Sequence, residues 1–176
     1  MFKKIAVLLL WFPSVVLFSH PMTLGDITGE NLSLKTIQHS FAGSIKNRIV
    51  MGHKIQGQFV SELRILENDQ EVVSVFQAEA GEKFGGVFTT SENGIEKAHN
   101  IQFIKIIKEE DKYIMSFDGV ETSVFVNAES FQNGHFVNPE YSMDLNGEHY
   151  SFRLEGQACY GYSLHLISMI MSALVY

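Results

Sequence analysis

The residues able to do chemistry are scattered. Seven histidines occur: His20, His39, His53, His99, His135, His149 and His165. None stand in HxH or HxxxH spacing, so no two present themselves on one turn of helix or one strand face as metal ligands. The motifs of zinc proteases, α/β-hydrolases, phosphate-binding loops and redox CxxC pairs are absent too. Cys159, in "GQACYGY", is the one cysteine. A nucleophilic thiol needs a base close by and a lowered pKa. His149 and His165 flank it in sequence and are the candidates for that base. The competing reading is a small buried side chain at a tight packing point, and that reading is preferred. Glu109–Glu110–Asp111 is acidic enough to attract a cation, but it lacks the Asp/Asn/Gly spacing of a calcium loop and reads as a solvated turn. Twenty Asp and Glu make a carboxylate pair available almost anywhere, and sequence alone does not give their separation. No catalytic, cofactor or metal site is therefore assigned.

The first twenty residues, "MFKKIAVLLLWFPSVVLFSH", have the layout of a secretory signal peptide: Lys3 and Lys4, an apolar stretch from Ile5 to Phe18, then a small residue, Ser19. The expectation is a signal over residues 1–20 and one domain over 21–176, in a periplasmic or secreted protein. Removal of residues 1–20 takes two of thirteen Lys and Arg. Eleven then face twenty Asp and Glu, and the net charge moves from −7 to −9. Such a balance excludes a nucleic-acid partner, whose phosphates call for a basic face. A lone cysteine forms no internal disulfide, which suits a bacterial envelope better than a disulfide-rich extracellular domain. If cleavage falls after Ser19, His20 becomes the mature N-terminus. Its amine and imidazole together would resemble the start of copper-binding secreted domains with a β-sandwich core. Pro21 next to that bond counts against it.

The elements that must position any site are mostly strands. From Ser44 to Leu154 short runs alternate apolar and polar residues. Ser61, Leu63 and Ile65 share one face of "KIQGQFVSELRILE", with Phe59, and Val60, Glu62, Arg64 and Leu66 the other. "NIQFIKIIK" carries apolar residues on both faces and reads as a central strand covered on each side. Asp118–Gly119 and Asn146–Gly147 sit between alternating runs and predict two-residue hairpins, because both turn positions need positive φ. Asn127–Pro139 reads as a polar loop, and residues 33–41 as a short helix or an extended segment.

The last sixteen residues, "GYSLHLISMIMSALVY", hold no Asp, Glu, Lys or Arg. A membrane span needs about 20 apolar residues, and this run is shorter and contains Ser163, His165, Ser168 and Ser172. On a helix, His165, Ser168 and Ser172 form one narrow stripe and apolar residues occupy the rest. Residues 164–175 are expected to be a helix hidden from solvent. Antiparallel strands around a very apolar C-terminal helix are similar in architecture to tubby-like and scramblase-like barrels. No motif of those families is matched residue by residue, and the strands counted fall short of their twelve.

The expected fold is α+β: an antiparallel, strongly curved sheet or partly closed barrel of seven or eight strands with a buried C-terminal helix. The expected function is non-catalytic, the binding of a partner protein or an apolar small ligand, without stable membrane insertion after signal cleavage. A filled barrel would favour a protein partner and a hollow one a small ligand. The alternatives are a secreted hydrolase assembled from dispersed His, Asp and Glu, and the copper-binding domain that uses His20.

Overall fold

A computed structural model describes residues 24–38, 40–55, 60–68, 70–79 and 83–176. The signal segment and His20 lie outside the described residues, as does His39. Among the described residues fourteen strands precede one α-helix. They are β1 (Leu24–Gly29), β2 (Leu32–Ile37), β3 (Ser40–Ile45), β4 (Arg48–Ile55), β5 (Val60–Glu67), β6 (Gln70–Glu79) and β7 (Lys83–Glu92). After these come β8 (Ile95–Ile107), β9 (Lys112–Phe117), β10 (Val120–Asn127), β11 (Ser130–Gln132), β12 (His135–Val137), β13 (Glu140–Leu145) and β14 (Glu148–Cys159). The helix, α1, spans Tyr160–Val175.

Ten strands run as an antiparallel meander from β1 to β10, β13 and β14 continue it, and β14 pairs back onto β1. The seam is carried by Ile27 opposite Leu154 and Thr28 opposite Arg153. The sheet is thus a closed barrel of twelve strands, where the sequence suggested seven or eight strands and partial closure. The remaining two, β11 and β12, form a small hairpin against Gln157–Cys159. They replace the polar loop expected over Asn127–Pro139. The short-helix option for residues 33–41 also fails, since residues 33–37 fall in β2 and residues 40 and 41 in β3.

Turn chemistry explains the extra strands. Among the described residues, six hairpins turn at the same end of the barrel, and each places an Asn or Asp in the left-handed region: Asn31, Asn47, Asn68, Asn93, Asp118 and Asn146. Short polar side chains tolerate this conformation better than other non-glycine residues. Two-residue turns of this hand match the twist of the flanking strands, so little chain is spent between them.

Every strand presents alternate residues to the interior. Phe41, Leu63, Phe76, Phe88, Phe117, Tyr141 and Phe152 point in, whereas Lys35, Glu62, Arg64, Glu121, Asp144 and Arg153 face out. Among the described residues no helix is long and apolar enough to cross a membrane.

The helix fills the lumen. Leu166, Ile167, Ile170, Met171 and Ala173 are fully buried, and so are Ser163, Ser168 and Ser172. Its start is capped by Cys159, whose Sγ accepts from Tyr162 N at 3.4 Å. Its end is held by Arg48, which reaches in from β4 and donates to the Ala173 carbonyl. A cation there complements the negative end of the helix dipole.

Candidate functional site

Three places gather polar chemistry. The first is sealed inside. Ser61 Oγ and His165 Nδ1 are 2.7 Å apart, and the edge of Phe84 meets the imidazole with centroids 4.8 Å apart. Burial, helped by the Lys54 charge, pushes the His165 pKa down to about 3. At neutral pH it is an uncharged ring satisfied by a hydroxyl. Nearby, Tyr141 Oη and Ser163 Oγ are 2.5 Å apart, and Tyr113 Oη donates to the Tyr160 carbonyl at 3.2 Å. Burial raises the pKa of both phenols. These groups tie wall and helix in register.

The second lies at the barrel mouth where the helix ends. Thr90 Oγ1 is 3.2 Å from His99 Nε2, and His99 Nδ1 is 2.7 Å from Asp118 Oδ2. Asn100 N–H donates to Asp118 Oδ1 at 2.7 Å, and Tyr176 Oη donates to Oδ2 at 3.0 Å. Burial alone would raise the Asp118 pKa, but the donors His99, Asn100 and Tyr176 outweigh it and hold the carboxyl below its usual range. His99 is only 4 % exposed. The order of hydroxyl, imidazole and carboxylate is that of a nucleophile, its base and the group that orients the base.

The third is the outer wall. Ile49, Met51, Leu66, Val73, Val75 and Val87 are each between 40 % and 57 % exposed. Register makes them one band across β4–β7: Ile49 opposite Leu66, Met51 and Val73 on either side of Arg64, Val75 opposite Val87. Arg64 is held within the band by Glu62 at 2.6 Å and Glu71 at 3.3 Å. A groove of about 750 Å³ continues the band onto β7 and β8. The convex wall is notched there because Gly85 carries no side chain and because Ile104 is an extra residue, bulged between Phe103 and Lys105. The central-strand reading of residues 100–108 fails here. Ile101 points in, but Ile104 is exposed and nothing described covers that face.

The remaining candidates are dispersed. Cys159 has His135 as its cross-strand partner, not the expected His149 or His165. His149 is outside, 2.8 Å from Asp144, and His165 is engaged with Ser61. Glu109 and Glu110 belong to a 3₁₀ turn, Glu110 pairs with Lys112, and Asp111 accepts from Tyr160 Oη at 2.9 Å. Among the described residues no cluster of three or more His, Cys, Asp or Glu is placed to hold a metal. Sequence reasoning missed both the Thr90–His99–Asp118 chain and the groove. The one local signal was the Gly85–Gly86 pair inside an otherwise alternating strand, a mark of close backbone approach.

Comparison of the chain with protein-family models, curated proteins and solved structures gave no match.

Proposed function

We propose that this chain is a non-catalytic binding protein of the periplasm or the cell exterior that docks a partner protein on its outer wall. One observation carries the reading: α1 occupies the lumen, while an apolar band from Ile49 to Val87 faces outward across four strands. A lumen packed with Leu166, Ile167, Ile170 and Met171 gives an apolar ligand no interior seat. A contiguous exposed apolar patch is the usual mark of an interaction surface. The test places a photo-crosslinking residue at Met51, Val73 or Lys35 in producing cells. A discrete adduct is expected from positions 51 and 73 and not from 35, with Val75→Glu abolishing it. Absence of any adduct from the band overturns the reading. Intact mass of the exported protein tests the compartment and the N-terminus together, and any start other than His20 removes the copper alternative.

A second reading, a hydrolase, is favoured by the Thr90–His99–Asp118 chain. Thr90 Oγ1 would attack an ester carbonyl as His99 Nε2 takes its proton, and the C–O bond would break with the alcohol leaving on that proton. Water activated by His99 would then free the acyl group from Thr90, Asp118 steadying the imidazolium. It ranks second because the outer groove does not reach these residues. Labelling by a fluorophosphonate probe, lost in Thr90→Val and His99→Gln, would raise it to first place. Absence of label on Thr90 removes it.

A further inference from the structure

The groove has a chemical character of its own, set by register. Gln77, Gly85 and Gln102 lie directly opposite one another on β6, β7 and β8. The next row on the same face is Val75, Val87 and Asn100. In the first row the middle position is glycine, so two carboxamides flank a gap one side chain wide, about 9–10 Å between the outer backbones. In the second row two valines form an apolar shelf, and Ile104 borders the far side of the first row. Strand approach fixes the gap. A Cβ on Gly85 would stand 2.8 Å from the Ile101 carbonyl oxygen, and one on Gly86 would stand 2.3 Å from that of Val75.

Among the described residues that line the groove none is charged. An anionic ligand finds no cation among them, and the chain's net charge of −7 repels it. A cationic ligand finds no carboxylate among them. A wholly apolar ligand would bury the amides of Gln77, Gln102 and Asn100 unpaired, at a desolvation cost. What fits is a neutral ligand with a C–H face for Val75 and Val87, and an edge of groups that both donate and accept. Each carboxamide offers both roles. The volume is within the range of small-molecule sites.

We propose that the Gln77–Gly85–Gln102 slot is a binding site for a neutral saccharide, with the sugar's C–H face on Val75 and Val87 and its hydroxyls between the carboxamides. The slot shares Val75 and Val87 with the end of the β4–β7 docking band, so a docked protein would compete with sugar, whereas the Gln77, Gln102 and Asn100 amides report on the slot alone.

The test titrates the full-length chain, labelled with ¹⁵N, with cellobiose, maltose and N,N′-diacetylchitobiose, and in a separate arm with an uncharged tetrapeptide. At least one disaccharide should shift the side-chain NH₂ signals of Gln77, Gln102 and Asn100 in a saturable way. The Gln77→Leu/Gln102→Leu variant should lose about tenfold in affinity, the worth of two hydrogen bonds, with its melting temperature unchanged. The proposal is overturned by disaccharides that leave these three amides unmoved. It is equally overturned if only the tetrapeptide moves them, or if the double variant binds sugar as tightly as the parent.

Discussion

Tyr176 lies flat against His99, with ring centroids 3.8 Å apart, and its phenol donates to the carboxylate that holds His99 Nδ1. The stack joins the end of α1 to the β7–β8 wall, where Phe88 takes the next place at 5.7 Å from the Tyr176 ring. The barrel mouth is thus closed by a side chain from the element inside it.

Acid should loosen that closure. The Asp118 carboxyl is held below its usual range in the folded protein, whereas in the unfolded chain it titrates near about 3.9. Its contribution is therefore fully present above the unfolded value and is lost as pH falls through the folded one. Melting temperature should drop below about pH 4, and Asp118→Asn should flatten that part of the profile while lowering stability at neutral pH. A profile of unchanged shape in the variant would show that the carboxylate does not hold the mouth.

His165 predicts a second window. Its folded pKa is depressed to about 3 by burial, with Lys54 adding to the effect, against about 6.5 when unfolded. Between these values the unfolded chain binds a proton that the native state refuses, so stability declines as pH falls from 6.5 toward 3. The total is on the order of 5 kcal/mol. Urea denaturation at pH 7 and pH 4 should show the decline in the parent and a much smaller one in His165→Gln.

The two kinds of glycine should respond differently to alanine. Gly147 turns with φ of 83° and has open space around it. Gly147→Ala should cost about 1 kcal/mol, a conformational penalty alone. Gly86 is crowded by the backbone of Val75 and Phe76, so a methyl there must push two strands apart. Gly86→Ala should cost about 1–3 kcal/mol beyond the turn variant. Equal midpoints in chemical denaturation would show that β6 and β7 are not held as closely as their register implies.

Truncation of the helix core should be among the costliest of single changes. Leu166 and Ile170 are fully buried on successive turns of α1. Replacing either with Ala should cost about 2–5 kcal/mol, read from the denaturation midpoint. A loss under 1 kcal/mol would mean that the wall collapses onto the space.

The helix was legible because an uncharged run of this length admits few fates in water, and three serines with a histidine are poor membrane material. The hairpins at Asp118–Gly119 and Asn146–Gly147 were legible because their turn residues state the required φ. The number of strands was not. Lys46–Asn47 and Glu30–Asn31 turn without glycine, and six-residue strands such as β2 and β3 carry little periodicity. The slot was invisible for a different reason. Gln77, Gly85 and Gln102 are ordinary in sequence, and only the pairing register of three strands puts them in a row. His99 and Asp118 likewise meet because their strands are neighbours, not because their spacing says so.

The barrel is filled by the element that comes after its whole wall. A chain threading out of a ribosome or translocon presents β1 to β13 first, with Phe41, Leu63, Phe76, Phe88 and Tyr141 on their inner faces and nothing yet to cover them. The seam to β1 waits on β14, and the core waits on α1 directly behind it. Much of the wall is stitched locally, strand to next strand, and can form quickly, but it remains an open, sticky trough until the end of the chain arrives. Anything that stops synthesis short of Glu148 yields the wall without its seam or filling, and that product should aggregate.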